Sequence, residues 1–212
     1  DENEVYFLTA ETENSGQYTN TFFGGETWTS LWKYTYLCGD GNDTCGNWVN
    51  LSANIPANRP TTFDNFNAQG GYDLLVKVKP DEPNVVFIGG TNLWRSTDGF
   101  TSDSNTVQIG GYFEGSDHGY GNWDIYSKHH PDQHDLLFLP SDNNIILSAN
   151  DGGVYKSTNC MASPHLWQSL NNGYQTTQLY AVNFGKGTSD LIVGGFQDNG
   201  NFVTYSDDET DS

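Results

Sequence analysis

Two stretches of this chain repeat one another, and that repetition constrains the fold more than any single residue does. In the first, Asp73-Leu74-Leu75 leads to a turn with Pro80, then Asn84-Val85-Val86-Phe87-Ile88-Gly89-Gly90, then Leu93-Trp94-Arg95-Ser96-Thr97-Asp98-Gly99. In the second, Asp135-Leu136-Leu137 leads to a turn with Pro140, then Asn144-Ile145-Ile146-Leu147-Ser148-Ala149-Asn150, then Val154-Tyr155-Lys156-Ser157-Thr158-Asn159. A third copy runs through Leu179-Tyr180-Ala181-Val182, Asp190-Leu191-Ile192-Val193-Gly194-Gly195 and Asn201-Phe202-Val203-Thr204-Tyr205, and a leading one has Val5 to Thr9, Leu31 to Thr35 and Trp48 to Leu51. Short apolar segments bounded by turn residues and recurring every few tens of residues predict blades of four antiparallel strands, since one such sheet must stack on others to bury its faces. The expectation is an all-β chain, a β-propeller segment of about four four-stranded blades over 1–54, 72–112, 134–170 and 178–206, belonging to a larger propeller. The leading copy lacks an innermost strand and the last an outermost one. Open blade edges invite pairing, so the remaining blades of a parent protein are one expected partner. A self-contained four-bladed ring is the rival arrangement.

Composition agrees with many short strands. The 212 residues include 24 glycines and a single Met, and Gly with Asn supplies the positive φ angles that tight turns need. Eight basic against 27 acidic residues give a net charge of −19. Such a surface repels phosphate backbones and anionic headgroups, which excludes nucleic acid and membrane insertion as partners and suits divalent cations. No apolar run approaches membrane-spanning length. The chain opens on Asp1 and reaches Val5-Tyr6-Phe7-Leu8 almost at once, which predicts a processed or partial chain.

Three cysteines are present, and Cys38 and Cys45 bracket the turn-rich loop Gly39-Asp40-Gly41-Asn42-Asp43-Thr44. A local disulfide, and with it an oxidising compartment, is the expectation. Cys160 is then either a buried free thiol or paired with chain elsewhere. Asp40 to Asp43 has calcium-like spacing without the Gly and Glu of an EF-hand, so a disulfide-closed turn is the reading. Asn42-Asp43-Thr44 and Asn50-Leu51-Ser52 are formal glycosylation sequons.

Ser96-Thr97-Asp98-Gly99-Phe100 resembles the Asp-box of sialidase-like BNR repeats, with Phe100 where Gly is usual, and Ser157-Thr158-Asn159 resembles a degenerate copy. The order His130-x-Asp132-x-His134-Asp135, Asn150-Asp151-Gly152-Gly153-Val154-Tyr155-Lys156-Ser157, Gly194-Gly195-Phe196-Gln197-Asp198-Asn199-Gly200 resembles large BNR-like propellers related to sortilin-type and xyloglucanase-type domains. Those occur in surface and secreted proteins of Bacteroidota, so the resemblance implies a secreted or cell-surface location. It implies a structural role for the box at the propeller rim, where its carboxylate accepts backbone N–H bonds.

In a propeller, the turns after second strands and the loops between blades emerge on one face. That expectation gathers His130, Asp132 and His134 with Asp151, Gln197, Asp198 and Asn199, close to the axis. Oxygen and imidazole groups of this kind suit hydrogen bonding to a glycan, or a divalent cation such as calcium. The structural alternative is that Asp151 and Asp198 cap glycine turns while the histidines bond neighbouring loops. A sialidase-like site is excluded, because an arginine triad cannot be built from Arg59 and Arg95 alone. Trp28, Trp123 and Tyr120 are candidates for stacking on sugar rings or on a protein partner, or for packing between blades. The functional expectation is a non-catalytic binding or scaffold segment. Its alternative is part of a glycoside hydrolase of xyloglucanase-like type, in which two of Asp132, Asp151 and Asp198 would serve as the paired carboxyls.

Overall fold

The structure, a computed structural model, describes residues 3–12, 15–20, 26–41, 44–57, 65–114, 123–125, 129–185 and 191–204. Asn42, Asp43, Arg59, Tyr120, Asp190 and Tyr205 lie outside them. The chain divides into two compact units, Asp1–Leu170 and Asn171–Ser212. Every sheet is antiparallel, as the frequent turns demand.

Among its described residues the first unit holds three four-stranded sheets and a two-stranded ribbon. In the leading sheet the long strand β3 (Glu26–Tyr36) carries β1 (Glu4–Glu11) along one edge. Its other edge is shared by β2 (Gln17–Asn20) and β4 (Gly46–Asn50). The second sheet is a meander of β5 (Leu75–Lys79), β6 (Glu82–Gly89), β7 (Leu93–Ser96) and β8 (Thr106–Gly110). The ribbon of β9 (Tyr112–Glu114) and β10 (Trp123–Ile125) follows. A second meander then forms from β11 (Gln133–Leu139), β12 (Asp142–Asn150), β13 (Gly153–Ser157) and β14 (Gln168–Ser169). The second unit is a three-stranded sheet of β15 (Leu179–Phe184), β16 (Ile192–Phe196) and β17 (Asn201–Thr204).

The two meanders superpose in register, which fixes how the repeat aligns. Val78 pairs with Val86 and, past a bulge, Lys79 with Glu82. Phe138 pairs with Ile146 and, past a bulge, Leu139 with Asp142. Pro80 therefore matches Pro140, Asn84 matches Asn144, and Asp73 matches Gln133. The triplets Asp73-Leu74-Leu75 and Asp135-Leu136-Leu137 look alike but sit two residues out of structural equivalence. A slip of two keeps every side chain on its own face of a pleated strand, so alternation alone cannot detect it.

β6 is buried on both faces, and its unbroken apolar run serves two cores. Val86 and Ile88 join Tyr6, Leu8, Leu31, Trp94 and Phe100 between the first and second sheets. Val85 and Phe87 join Leu93, Ile109, Leu136, Phe138 and Ile146 between the second and third. Phe87 meets Phe138 edge-on with ring centroids 5.6 Å apart. This face-to-face stacking of successive sheets is the packing of propeller blades.

The box-like turn after β7 is closed by its own side chains. Ser96 Oγ accepts the Phe100 amide at 2.8 Å and donates to Asp98 Oδ1 at 2.8 Å. Asp98 Oδ2 accepts from Ser102 Oγ at 2.6 Å and Asn105 Nδ2 at 3.0 Å. Gly99 N donates to Asn84 O at 2.7 Å, and one repeat later Cys160 N donates to Asn144 O at 2.8 Å. Cys38 and Cys45 form the expected disulfide, and Cys160 is a buried free thiol.

Candidate functional site

Four of the seven expected site residues meet where the second and third sheets adjoin. Asp132 stands in the loop entering β11, pinned by its amide to Thr91 O at 2.9 Å, while Gln133 N donates to Gly90 O at 2.9 Å. His134 is the second residue of β11 rather than the last before it. Asp151 occupies the turn between β12 and β13, and its amide donates to Asp132 O at 3.3 Å. His134 Nε2 lies 2.5 Å from Asp151 Oδ1. His130 packs its ring where a Cβ on Gly152 would fall, and its Nδ1 is 3.0 Å from Pro131 O.

Two residues not anticipated from the sequence complete this cluster. Gln69 Nε2 donates to Asp132 Oδ1 at 2.6 Å. Both residues hold positive φ without being glycine, Gln69 at 46° and Asp132 at 64°, a conformation that costs energy and recurs where backbone is held for a purpose. Asp73, just ahead of β5, is wholly buried, and neither of its oxygens meets a donor. His134 Nδ1 is 3.9 Å from its Oδ1. Burial, followed by the nearby Asp132 and Asp151 carboxyls, pushes the Asp73 carboxyl up to about 8. Burial also raises Asp132, opposed first by its hydrogen bond with Asp73 and then by His130 and His134, and reinforced by Asp151. Tyr72 stands exposed beside the cluster, its ring edge-on to His134 at 5.3 Å. Among the described residues, no three His, Cys, Asp or Glu side chains are arranged to hold a metal ion.

Gln197, Asp198 and Asn199 belong to the second unit and make a turn of their own after β16. Gln197 Nε2 donates to Asp198 Oδ2 at 2.7 Å, and Asn199 Nδ2 donates to Gln197 O at 2.9 Å. Asp198 takes φ 51°, so it shapes this turn as a glycine would.

A second feature lies on the leading sheet. Alternation along β1 sends Tyr6 and Leu8 into the core and leaves Phe7 outward, 42% exposed. Phe7 stands opposite Trp32 on β3, and Tyr34 opposite Trp48 on β4. Trp48, 52% exposed, lies 5.3 Å from Phe7 and 4.8 Å from Tyr34 between ring centroids. Phe7, Trp32 and Trp48, with Thr9 and Glu11, line an open cavity of about 430 Å³. Two tyrosines tie the adjoining disulfide loop to this face: Tyr34 Oη donates to Gly41 O at 2.7 Å and Tyr36 Oη to Gly39 O at 2.9 Å. Of the aromatics singled out by sequence, Trp28 is half-buried against Tyr18, and only the backbone of Trp123 is described.

The chain matches no protein-family model and no curated protein. Among solved structures it is similar to the GH74 xyloglucanase from Xanthomonas campestris, with 18% sequence identity and a TM-score of 0.50. The likeness covers 95% of this chain and 26% of the enzyme, so the chain spans about a quarter of that protein's length. At this identity the likeness is one of fold, and it agrees with the stacked antiparallel sheets: the chain has an all-β, propeller-type fold.

Proposed function

We propose that this chain is a non-catalytic, glycan-binding segment of a secreted or cell-surface β-propeller protein. The observation that carries the reading is the outward face of the leading sheet. The two cores between sheets draw mainly on Leu, Ile, Val and Phe. The open face instead presents Trp32, Trp48, Tyr34 and Phe7, rigid rings that stack on the apolar faces of sugars. Glu11 and Thr9 beside them supply an acceptor and a hydroxyl for sugar OH groups. The disulfide suits an oxidising compartment. His130, Asp132, His134 and Asp151, with Gln197, Asp198 and Asn199 of the second unit, are proposed as further ligand contacts. Affinity electrophoresis of the full chain in gels containing soluble neutral β-glucans tests the reading. Retardation that is reduced in Trp48→Ala is the expected result, and unretarded migration of the wild type in every such gel refutes it.

A second reading, part of a glycoside hydrolase, is favoured by one specific observation. The raised carboxyls of Asp73 and Asp132 lie near Asp151, and such hydrolysis needs one protonated and one ionised carboxyl. The fold shared with a xyloglucanase is compatible with it by analogy alone. Turnover of plant or microbial polysaccharides by the full-length protein, abolished by Asp132→Asn or Asp151→Asn, would replace the binding reading with this one.

A further inference from the structure

We infer that Asp73 and Asp132 share a single proton across the seam between the second and third sheets, and that this proton keeps the seam closed. Three observations carry it. Asp73 is wholly buried and neither oxygen meets a donor, while the carboxyl of Asp132 stands within hydrogen-bonding reach. Two carboxylates are both acceptors, so their contact requires a proton on one of them. The matching position in the third sheet is Gln133, also wholly buried but a neutral amide. Its Nε2 donates to His130 O at 2.8 Å, and its Oε1 accepts from Ser148 Oγ at 3.1 Å. A protonated Asp73 reproduces the donor that an amide has and a carboxylate lacks.

The ionisable groups facing Asp73 come from three elements: Asp132 from the loop before β11, His134 from β11, and Asp151 from the turn after β12. His130 faces Asp132 from the same loop. When the proton leaves to solvent, the buried Asp73 and Asp132 carboxylates face one another across the seam with Asp151 nearby. Asp73 titrates higher in the folded than in the unfolded chain. Its contribution is therefore complete below about pH 4 and is lost as the pH rises toward 8.

Thermal melts of the full chain between pH 5 and 9, with calcium or with chelator, test this against Asp73→Asn. The wild type is expected to lose roughly 5 °C or more relative to Asp73→Asn between pH 5 and 8, and to run parallel to it above. Parallel curves throughout overturn the inference. So does calcium raising the wild-type melting point at pH 9 without raising that of Asp73→Asn, which would make the cluster a cation site. Should Asp73→Asn fail to fold, carbon NMR of wild type labelled at aspartate Cγ decides the matter. Two aspartate carbons shifting together through one high titration uphold the shared proton, and a single carbon titrating high alone, or titration of every carboxyl below pH 5, overturns it.

Discussion

The imidazole of His129 lies flat against the indole of Trp167, ring centroids 4.2 Å apart, inside the third sheet's packing. Both rings are spoken for at their edges. Trp167 Nε1 donates to Ile109 O at 2.7 Å, and His129 Nδ1 accepts the Gly111 amide at 3.2 Å. That acceptor role fixes the tautomer, so Nε2 donates to Ser148 Oγ at 3.0 Å, and Ser148 donates onward to Gln133 Oε1. The chain of donors ends on His130 O, which links the buried stack to the edge of the Asp132 cluster.

Acid should therefore loosen this region while the carboxyl seam, protonated in acid, holds. Burial pushes His129 down to about 3, with His165 and His130 adding to the effect; burial and then Arg95 push His165 down to about 4. Both are neutral in the fold and bind protons more readily when unfolded. Their stability is present above about pH 6.5 and is lost as the pH falls toward 3. Urea unfolding across pH 4 to 7 should show this loss in wild type, and a smaller one in His129→Gln. His129→Ala, which strands Ser148 and the Gly111 amide, should cost roughly 3 kcal/mol at neutral pH.

The double-sided strand β6 sets where large-to-small changes hurt most. Phe87→Ala removes a wholly buried ring that fills the core against Phe138, and should cost about 3–5 kcal/mol in denaturant unfolding. Val107→Ala, on the exposed side of β8, should stay within about 0.5 kcal/mol.

Asp98 organises its turn through four side-chain partners. Burial disfavours its charge, but bonds from Ser102, Asn105, Ser96 and Thr101 outweigh burial and hold the carboxyl below its usual range. Its contribution is present above about pH 4 and falls away in stronger acid. Asp98→Ala should cost about 1–2 kcal/mol near neutrality, judged from the lost turn bonds, and a smaller amount at pH 2. Equilibrium unfolding at the two pH values measures the difference.

These features differ in how far the sequence discloses them, for physical reasons. The Asp98 turn is local, so Ser96, Asp98 and Gly99 announce it within a few letters. The run Val85-Val86-Phe87-Ile88 likewise declares a strand buried on both faces. Asp73 is different, because its character comes from burial and then from Asp132 and Asp151, which arrive from another sheet. By letters it resembles Asp135, whereas its counterpart in space is Gln133. The leading sheet, with β2 and β4 sharing one edge of β3, depends on a crossing of the chain that no alternation pattern encodes. Phe7 and Trp48 could have been found from alternation along β1 and β4, but which face stays open is decided by what packs on the other.

Cys160 offers a clean check on the third sheet. Burial raises its thiol above the ordinary range, despite the nearby Lys79 and Arg95 cations, and the side chain is inaccessible. Thiol reagents should label it only in unfolded protein, with a labelling rate that tracks global unfolding. Rapid labelling of the native chain would place this region in a different packing.

The aromatic face should discriminate among glycans by charge as well as by shape. At −19, with Glu11 on the cavity wall, the protein repels uronate-rich or sulfated polymers, whereas neutral β-glucans meet no such barrier. Gel retardation should accordingly appear with neutral glucans and be absent with polygalacturonate at low ionic strength. Trp48→Ala removes the most exposed ring of the platform and should weaken binding about 3- to 10-fold, the equivalent of one lost stacking contact. Trp94→Ala is the wrong control, because Trp94 is buried in the core between the first two sheets. Val107→Ala is the right one, being exposed on β8 of the same unit. Weakening by Tyr72→Ala with none by Trp48→Ala would move the binding surface from the leading sheet to the Asp132 cluster.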